Sequence, residues 1–239
     1  MREHRIKLYK YKSLQPFEYV ADIIHNKRFH AARSWELNDP MEGLYKYDRR
    51  PTLLEDECGT EAEFLKYIAK DTKEWRICAF SVDSGSPLLW AHYADRCQGI
   101  CVELEVTKRQ THGCYFKCHS RGLIFCTVQY VPRIVRVHKE PAGSALFPMG
   151  PRILTHKMKE WAPEQEIRVL TKREYIPLGN SMKITKILLG LRTPSVLRTV
   201  IRQMTPADVP VYETKIDDAE TKIEAGPEVP WMDPTGYRR

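Results

Sequence analysis

The sequence lacks long hydrophobic runs and glycine-rich nucleotide motifs. No segment approaches the roughly 18 apolar residues of a membrane helix, and the charged start MREHRIKLYK has no apolar region of the kind that secretory signal peptides carry. GxGxxG and P-loop patterns are also missing, which argues against a Rossmann fold. We therefore expect a cytoplasmic protein without a membrane partner.

Complete metal-ligand sets are missing as well. The seven cysteines are scattered through the chain, and their odd number favours reduced thiols over a disulfide framework. The stretch Cys114-Tyr-Phe-Lys-Cys118-His119 has part of the spacing of a zinc site, but no second pair of ligands completes it. The sequence therefore predicts no metal site.

The composition is that of an ordinary globular protein with an excess of positive charge. The 239 residues are 42% hydrophobic and 10% aromatic, and the formal net charge is +7. This length allows one large domain with a sizeable core. The positive charge suits an anionic partner such as a nucleotide, a nucleic acid or an acidic protein, or it gives a soluble basic surface. Charge alone does not separate these interpretations.

Apolar periodicity predicts many short strands and a few helices. The predicted helices cover residues 13–24, 61–72, 88–94, 152–161 and 193–204. The predicted strands cover residues 5–11, 29–35, 74–82, 99–106, 123–130, 164–170, 175–178, 183–189 and 209–216. Because strands and helices do not alternate regularly, the expected fold class is α+β with a mainly antiparallel sheet. We expect one domain over residues 1–219 and a poorly ordered tail, rich in proline and charge, over residues 220–239.

Polar and aromatic residues concentrate at the ends of apolar strands, where clefts form. On the predicted strand 164–170, side chains alternate between faces, so Glu164, Glu166 and Arg168 share one face. Each group also has an ordinary structural explanation, such as a turn or a solvated edge strand. The candidate site residues are Lys10, Tyr11, Asn38, Asp39, Ser81, Trp90, His92, Tyr93, Glu164, Glu166 and Arg168.

Other catalytic patterns fit less well. No GxSxG elbow surrounds a serine, and no cysteine has the local context of a nucleophile. Glu164 and Glu166 are too close in sequence for a glycosidase pair, which flanks its substrate from different elements. The Glu-x-Lys pattern of metal-dependent nucleases is replaced here by Glu166-Ile-Arg168.

The order of the motifs resembles that of a bacterial and phage family of domains of unknown function, numbered twenty-nine seventy-one. Its members typically read LYKYRSL, FNDPFE, CFS, WSHYAD followed by glycine, and W..E.E.R. The corresponding stretches here are LYKYKSL (8–14), LNDPMEG (37–43), CAFS (78–81), LLWAHYADRCQGICVEL (88–104) and WAPEQEIR (161–168). The resemblance extends over residues 5–190, which is most of the expected domain.

This motif layout is similar to that of distant mono-ADP-ribosyltransferases, which implies a split, mainly antiparallel sheet with flanking helices, and NAD as a substrate. Carried over motif by motif, Lys10 takes the first-strand position, where relatives often have histidine, and Ser81 takes the middle position. Glu166 takes the late-strand position, where it would hydrogen-bond the ribose 2′-hydroxyl and stabilise the positive charge that develops as nicotinamide leaves. Glu164 would deprotonate an acceptor.

The same resemblance implies contacts to the rest of the dinucleotide. Lys10 and Arg168 would hold ribose or pyrophosphate, because cations pair with phosphate oxygens. Tyr93 or Trp90 would stack on nicotinamide or adenine. The remaining residues expected to shape the NAD site are Tyr11, Asn38, Asp39, Ser81 and His92.

The expected function is that of an NAD-dependent ADP-ribosyltransferase or NAD glycohydrolase, in the setting of a toxin or phage-defence effector that modifies nucleic acid or protein. Two alternatives stay open. One is a non-catalytic nucleic-acid-binding or regulatory module, and the other is a metal-dependent nuclease of a defence system. Lys10 is the departure from the ADP-ribosyltransferase layout, since lysine is a point charge without the hydrogen-bond geometry of a histidine ring.

Overall fold

A ten-stranded, mainly antiparallel sheet forms the centre of this α+β protein. The structure is a computed structural model, and it describes residues 4–48, 60–108, 110–112, 115–117, 122–138, 148–179, 181–219 and 221–231. Within those ranges, no helix combines the length and the apolar character that crossing a bilayer requires.

The strands and helices follow each other irregularly along the chain. The strands are β1 (His4–Lys12), β2 (Arg28–His30), β3 (Tyr45–Tyr47), β4 (Arg76–Ser81), β5 (Ile100–Lys108), β6 (Gln110–His112), β7 (Tyr115–Lys117), β8 (Ile124–Thr127), β9 (Gln129–Val131), β10 (Val135–Val137), β11 (His156–Met158), β12 (Glu166–Thr171), β13 (Tyr175–Pro177), β14 (Met182–Leu189), β15 (Val211–Ile216) and β16 (Ile223–Glu228). The helices are α1 (Glu18–Ile24), α2 (Glu61–Glu74), α3 (Pro87–Tyr93), α4 (Met149–Ile153) and α5 (Ser195–Met204), with 3-10 helices at Ser34–Glu36 and Lys159–Glu164.

Helices cover both faces of the central sheet, whose strand order is β16-β15-β14-β5-β1-β4-β12-β8-β7-β6. Alternate residues of a strand belong to different hydrophobic clusters, because successive side chains point to opposite faces of the sheet. Val102 of β5 and Phe80 of β4 pack with residues of α1 and α5 on one face. On the other face, Cys101 packs with residues of α3, and Ile77 packs with Trp75 and Leu154.

The sheet is nearly interrupted between β1 and β4, a junction that we call the seam. β1 pairs with β5 along nine residue pairs. It pairs with β4 only at Tyr9 and Ser81. Beyond that pair, the carbonyl of Ala79 on β4 accepts a hydrogen bond at 2.8 Å from the side chain of Lys10 on β1. Two five-strand halves therefore meet at a single residue pair, and an opening lies beside it.

The predicted helix over residues 152–161 is wrong. Helix α4 ends at Ile153, and the chain then forms the short strand β11, which pairs in parallel with β9. A 3-10 helix carries the chain from Lys159 to Glu164. Local apolar spacing cannot show this pairing, because it depends on a strand more than twenty residues away in the sequence.

The start of β12 also differs from the prediction. Gln165 has a left-handed backbone, with φ of 46°, and β12 begins only at Glu166. Glu166 and Arg168 are two residues apart on this strand and share a face, as predicted. Glu164 instead ends the preceding 3-10 helix, so its carboxylate approaches the same region from a different element.

Several other boundaries shift. The predicted helix at residues 13–24 begins at Glu18, and the predicted strand at 29–35 divides into β2 and a 3-10 helix. Strand β16 lies beyond residue 219, where we expected a poorly ordered tail, and it pairs with β15. Residues 49–59 and 232–239 lie outside the described residues, and of the Cys114–His119 stretch only β7 is described.

Candidate active site

A cavity of about 480 Å³ lies at the seam. Pockets that bind small molecules commonly span about 300–1,000 Å³, so a nucleotide-sized ligand is within range. Its lining comes from many parts of the chain: β1, α1, β2, the 36–42 segment, β4, α3 and the Lys157–Glu166 segment. The polar and aromatic residues in that lining are Tyr9, Lys10, Tyr11, Lys12, Ser13, Tyr19, Phe29, His30, Glu36, Asn38, Glu42, Phe80, Ser81, His92, Tyr93, Lys157, Glu164 and Glu166.

One side of the cavity is bounded by a buried group of ionisable side chains, which we call the carboxylate cluster: Glu42, Lys157, Glu164, Glu166 and Arg168. Lys157 Nζ lies 2.6 Å from Glu164 Oε2 and 3.3 Å from Glu166 Oε2. It is also 3.8 Å from Glu42 Oε1. Three carboxylates therefore face two cations, which leaves one formal negative charge in the cluster.

Arg168 lies beneath this wall and does not line the cavity. Its side chain is fully buried, and Nε donates to Glu166 Oε1 at 2.7 Å. Its two terminal nitrogens hold both oxygens of Glu42, and Nη1 also donates to the carbonyl of Leu154 at 2.6 Å. Arg168 thus orients the carboxylates, and its buried side chain does not reach the cavity where we expected it to hold ribose or pyrophosphate.

The cluster moves the pKa values of its two Arg168-bound carboxyls in opposite directions. Burial alone would raise the pKa of Glu166, but Arg168 and then Lys157 hold it below the ordinary value. For Glu42, burial is the stronger influence and raises the pKa despite Arg168. Burial would lower the pKa of Arg168, but Glu166 and Glu42 together raise it well above the ordinary value. Glu166 is therefore held as a carboxylate.

A hydrogen-bonded chain runs from the 36–42 segment through α3 to Glu164. Asn38 Nδ2 donates to the Tyr93 hydroxyl at 3.0 Å, and that hydroxyl donates to Glu164 Oε1 at 2.5 Å. Burial, followed by the bond to Glu164, raises the pKa of Tyr93 far above its usual range. Tyr93 therefore stays protonated and presents its hydroxyl to the carboxylate.

The opposite wall belongs to β1 and carries Lys10 and Lys12, which we call the lysine wall. Lys10 Nζ donates to Ala79 and lies 5.6 Å from the centroid of the Phe80 ring. Lys12 Nζ lies 4.2 Å from the centroid of the Tyr19 ring. The lining therefore includes cations from β1 as well as members of the carboxylate cluster.

Ser81 sits where the two halves of the sheet meet. Its hydroxyl donates to the carbonyl of Glu164 at 2.8 Å and accepts from the backbone N–H of Asp83 at 3.1 Å. Because both bonds are to the backbone, Ser81 fixes the position of the residue that carries one of the carboxylates. It lines the cavity with only 5% of its surface exposed.

Three of the predicted ligand contacts do not present their polar groups to the cavity. Trp90, which we expected to stack on a ring of the ligand, is fully buried, donates from Nε1 to the carbonyl of Ser84 and does not line the cavity. The Tyr11 hydroxyl donates to the carbonyl of Asp83, although its side chain lines the cavity. Asp39 is buried in a turn, where Oδ1 accepts from the N–H of Met41. His92, in contrast, is exposed and lines the cavity.

The structure adds Lys12, Glu42 and Lys157 to the residues proposed from the sequence. Glu42 stands in the LNDPMEG motif and Lys157 lies four residues before Trp161, so both were near recognised patterns. Only the three-dimensional structure shows that they meet Arg168 and the two later glutamates. Lys12 had no signal beyond its i+2 spacing from Lys10, which places both on one side of β1.

Comparison with known proteins yields no relative: no protein-family model matches, and neither a curated protein nor a solved structure does so. The residues that the structure describes also contain no group of three or more His, Cys, Asp or Glu side chains arranged to hold a metal ion.

Proposed function

We propose that the cavity at the seam binds NAD and cleaves its nicotinamide–ribose bond, as an ADP-ribosyltransferase or NAD glycohydrolase. The observation that carries the proposal is the meeting of Lys10, Ser81, Glu164 and Glu166 around one cavity. These residues are the ones that the family resemblance selects, and they come from distant parts of the chain. A toxin or phage-defence setting, with a nucleic-acid or protein acceptor, is the corresponding biological expectation.

The charge distribution of the cavity supports this choice of ligand. NAD has a negative pyrophosphate and a positively charged nicotinamide ring. The lysine wall suits the first and the carboxylate cluster suits the second, since each places opposite charge near the ligand. Tyr93 and His92 line the cavity and offer rings on which a base or nicotinamide can stack.

The reaction needs a fixed negative charge where the ribose becomes cationic. Glu166 supplies it, because Arg168 and Lys157 keep it ionised. A preorganised charge in a buried site stabilises a developing opposite charge more strongly than the same charge does in water. In an ADP-ribosyl transfer, the bond from ribose to nicotinamide breaks, nicotinamide leaves with the bonding electrons, and the acceptor oxygen or nitrogen forms the new bond.

Glu164 is the candidate base for the proton that the acceptor releases. It lines the cavity, and its two oxygens are held by the Tyr93 hydroxyl and the Lys157 ammonium. With water as the acceptor, the same arrangement would give NAD hydrolysis. A positioned base of this kind contributes about 10²–10⁴-fold to a rate.

Release of nicotinamide from NAD tests the proposal directly. The wild-type chain, Glu166→Gln, Glu164→Gln and the control Glu160→Gln are incubated with NAD, with and without cell extract. Glu160 is exposed on the same 3-10 helix that carries Glu164, and it does not line the cavity. We expect release by the wild type and the control, and a loss of at least about 100-fold in Glu166→Gln.

The same proteins distinguish the alternative functions. If neither NAD turnover nor NAD binding is observed with the wild type, the proposal fails. Nucleic-acid binding that weakens with salt, in proportion to its phosphate contacts, and that is unchanged in Glu166→Gln would then favour a non-catalytic module. Cleavage of nucleic acid that requires a divalent metal and stops with EDTA would favour a nuclease.

A further inference from the structure

The amino group of Lys12 lies at the cavity without an acidic partner. It is partly buried, and its contact is the Tyr19 ring, 4.2 Å from Nζ. Across the described ranges of the chain, no hydrogen bond or ion pair engages it. A partly buried cation that lacks an acceptor is energetically costly, and an anionic ligand would relieve that cost.

The described groups that interact with Lys12 are a lysine, a tyrosine and a cysteine, with no carboxylate among them. Lys10 precedes it on β1, Tyr19 covers it from α1, and Cys78 faces it from β4. Burial, followed by the positive charge of Lys10, lowers the pKa of Lys12 to about 8. The structure pairs none of the other ionisable groups on the lining with Lys12; they are Tyr9, Tyr11, His30, Glu36, Glu42, His92, Tyr93, Lys157, Glu164 and Glu166.

Lys10 can serve the same anion. An ammonium group has three N–H donors, and the bond to Ala79 uses one of those on Lys10. Residues two apart on a strand share a face, so both ammonium groups can reach a single ligand. Two adjacent lysines match a group with at least two negative charges.

We infer that Lys12 and Lys10 together form an anion subsite that takes the diphosphate group of a nucleotide. A bound diphosphate favours the ammonium form of Lys12, so ligand binding and protonation of Lys12 strengthen each other. The identity of the nucleotide rests on the proposed function. Binding of a diphosphate by the two lysines is independent of that function, because it requires no cleavage of NAD.

Binding of two probes by calorimetry measures the subsite. Inorganic pyrophosphate and ADP-ribose are titrated into the wild type, Lys12→Met and the control Lys183→Met, whose lysine is exposed on β14 and does not line the cavity. We expect Lys12→Met to weaken both probes roughly tenfold or more, with the control unchanged. Equal affinities in Lys12→Met and the wild type would overturn the inference.

The pH dependence gives a second, sharper readout with ADP-ribose, whose diphosphate keeps its charge between pH 7 and pH 9. Because free Lys12 titrates at about 8, wild-type affinity should fall roughly tenfold across that interval. Lys12→Arg should keep its affinity, since a guanidinium stays protonated. Parallel pH profiles in the two proteins would contradict the inference.

Chemical labelling of the wild type does not depend on how any variant folds. Lys12 is acylated at pH 8, the labelled peptide is quantified by mass spectrometry, and pyrophosphate and ADP-ribose are expected to protect it. Protection by a single-stranded oligonucleotide alone would overturn the nucleotide subsite. If the probes protect Lys12 but no nicotinamide is released from NAD, the anion subsite is supported and the proposed function fails. If nicotinamide is released but the probes do not protect Lys12, the proposed function is supported and the anion subsite is overturned.

Discussion

The two walls of the cavity hold their charges in different ways. In the carboxylate cluster, each acid contacts a cation: Arg168 holds Glu42 and Glu166, and Lys157 bridges Glu164 and Glu166. On the lysine wall, Lys10 contacts a backbone carbonyl and Lys12 contacts an aromatic ring. Every acid therefore has a cationic partner within the protein on one wall, whereas the cations of the other wall have no acidic partner among the described residues.

This difference separates stability from binding. A buried charge that loses its partner destabilises the fold strongly, so the carboxylate cluster cannot be changed without structural cost. A lysine whose counter-ion is not part of the protein can be changed with little cost to folding. Variants of the carboxylate cluster should accordingly lower the free energy of unfolding strongly. Variants of the lysine wall should change mainly the affinity for ligand.

The largest effect on stability is expected from Arg168→Met. Removing this guanidinium leaves Glu42 and Glu166 buried with less compensation, and we expect a loss of about 3–5 kcal/mol in the free energy of unfolding. Urea denaturation at pH 7 measures it. A loss below about 1 kcal/mol would show that the buried ion pairs matter no more than exposed ones, and the comparison between the walls would fail.

Glu166→Gln tests the carboxylate cluster through the pH dependence of the free energy of unfolding. The amide still fills the site but loses the ionised bonds to Arg168 and Lys157, and we expect a cost of about 2 kcal/mol at pH 7. Because the folded-state pKa of Glu166 lies below its ordinary value of 4.5, the wild-type advantage is fully present above that pH. It should shrink as the pH falls through the lower folded-state value. A difference that does not change down to pH 3 would contradict the assigned shift.

Tyr93→Phe should have a smaller effect on stability. It removes the two hydrogen bonds of the hydroxyl, to Asn38 and Glu164, but leaves the ring. Because Asn38 is exposed and can bond water instead, we count only the bond to Glu164, at about 0.5–1.5 kcal/mol. Nicotinamide release in the same variant would show whether Glu164 needs this bond in order to act. An unchanged rate would assign Tyr93 a structural role only.

The smallest change is expected from Lys172→Met, which serves as the exposed reference for Arg168→Met. Lys172 Nζ lies 2.6 Å from Glu74 Oε2, a shorter distance than the Arg168 Nε bond to Glu166, but more than half of the Lys172 side chain is exposed. Exposed ion pairs contribute little because water and salt screen them. We expect no resolvable change in the urea midpoint, and a clear shift would mean that distance outweighs burial.

Local patterns in the sequence predict much of this fold. The strand predicted at residues 99–106 corresponds to β5, because its alternating apolar residues fit a buried sheet. The helix predicted at residues 193–204 corresponds to α5, where an apolar face follows Pro194. These elements carry their own signals, and the α+β class with a mainly antiparallel sheet follows from them.

Features that depend on distant partners could not be predicted in the same way. β11 and β16 are short strands that exist because other strands pair with them. Motif order indicated Lys10, Ser81 and the two glutamates, and the structure brings them to one cavity, while their roles stay predictions. Strand alternation predicts which face of the sheet a side chain is on, but not how deeply it is buried. Arg168 was therefore expected to contact a ligand, whereas its guanidinium pairs with buried carboxylates.

The single residue pair at the seam has a mechanical consequence. Few backbone hydrogen bonds oppose a change of angle between the two halves of the sheet. Side chains of β1 and β4 pack in one hydrophobic cluster on the face that α1 and α5 cover. A molecule that contacts Lys12 on one half and Glu166 on the other would restrict the motion of the two halves relative to each other. Amide hydrogens of Tyr9 and Ser81 should therefore exchange more slowly with deuterium once the cavity is filled, even though neither residue forms a new bond.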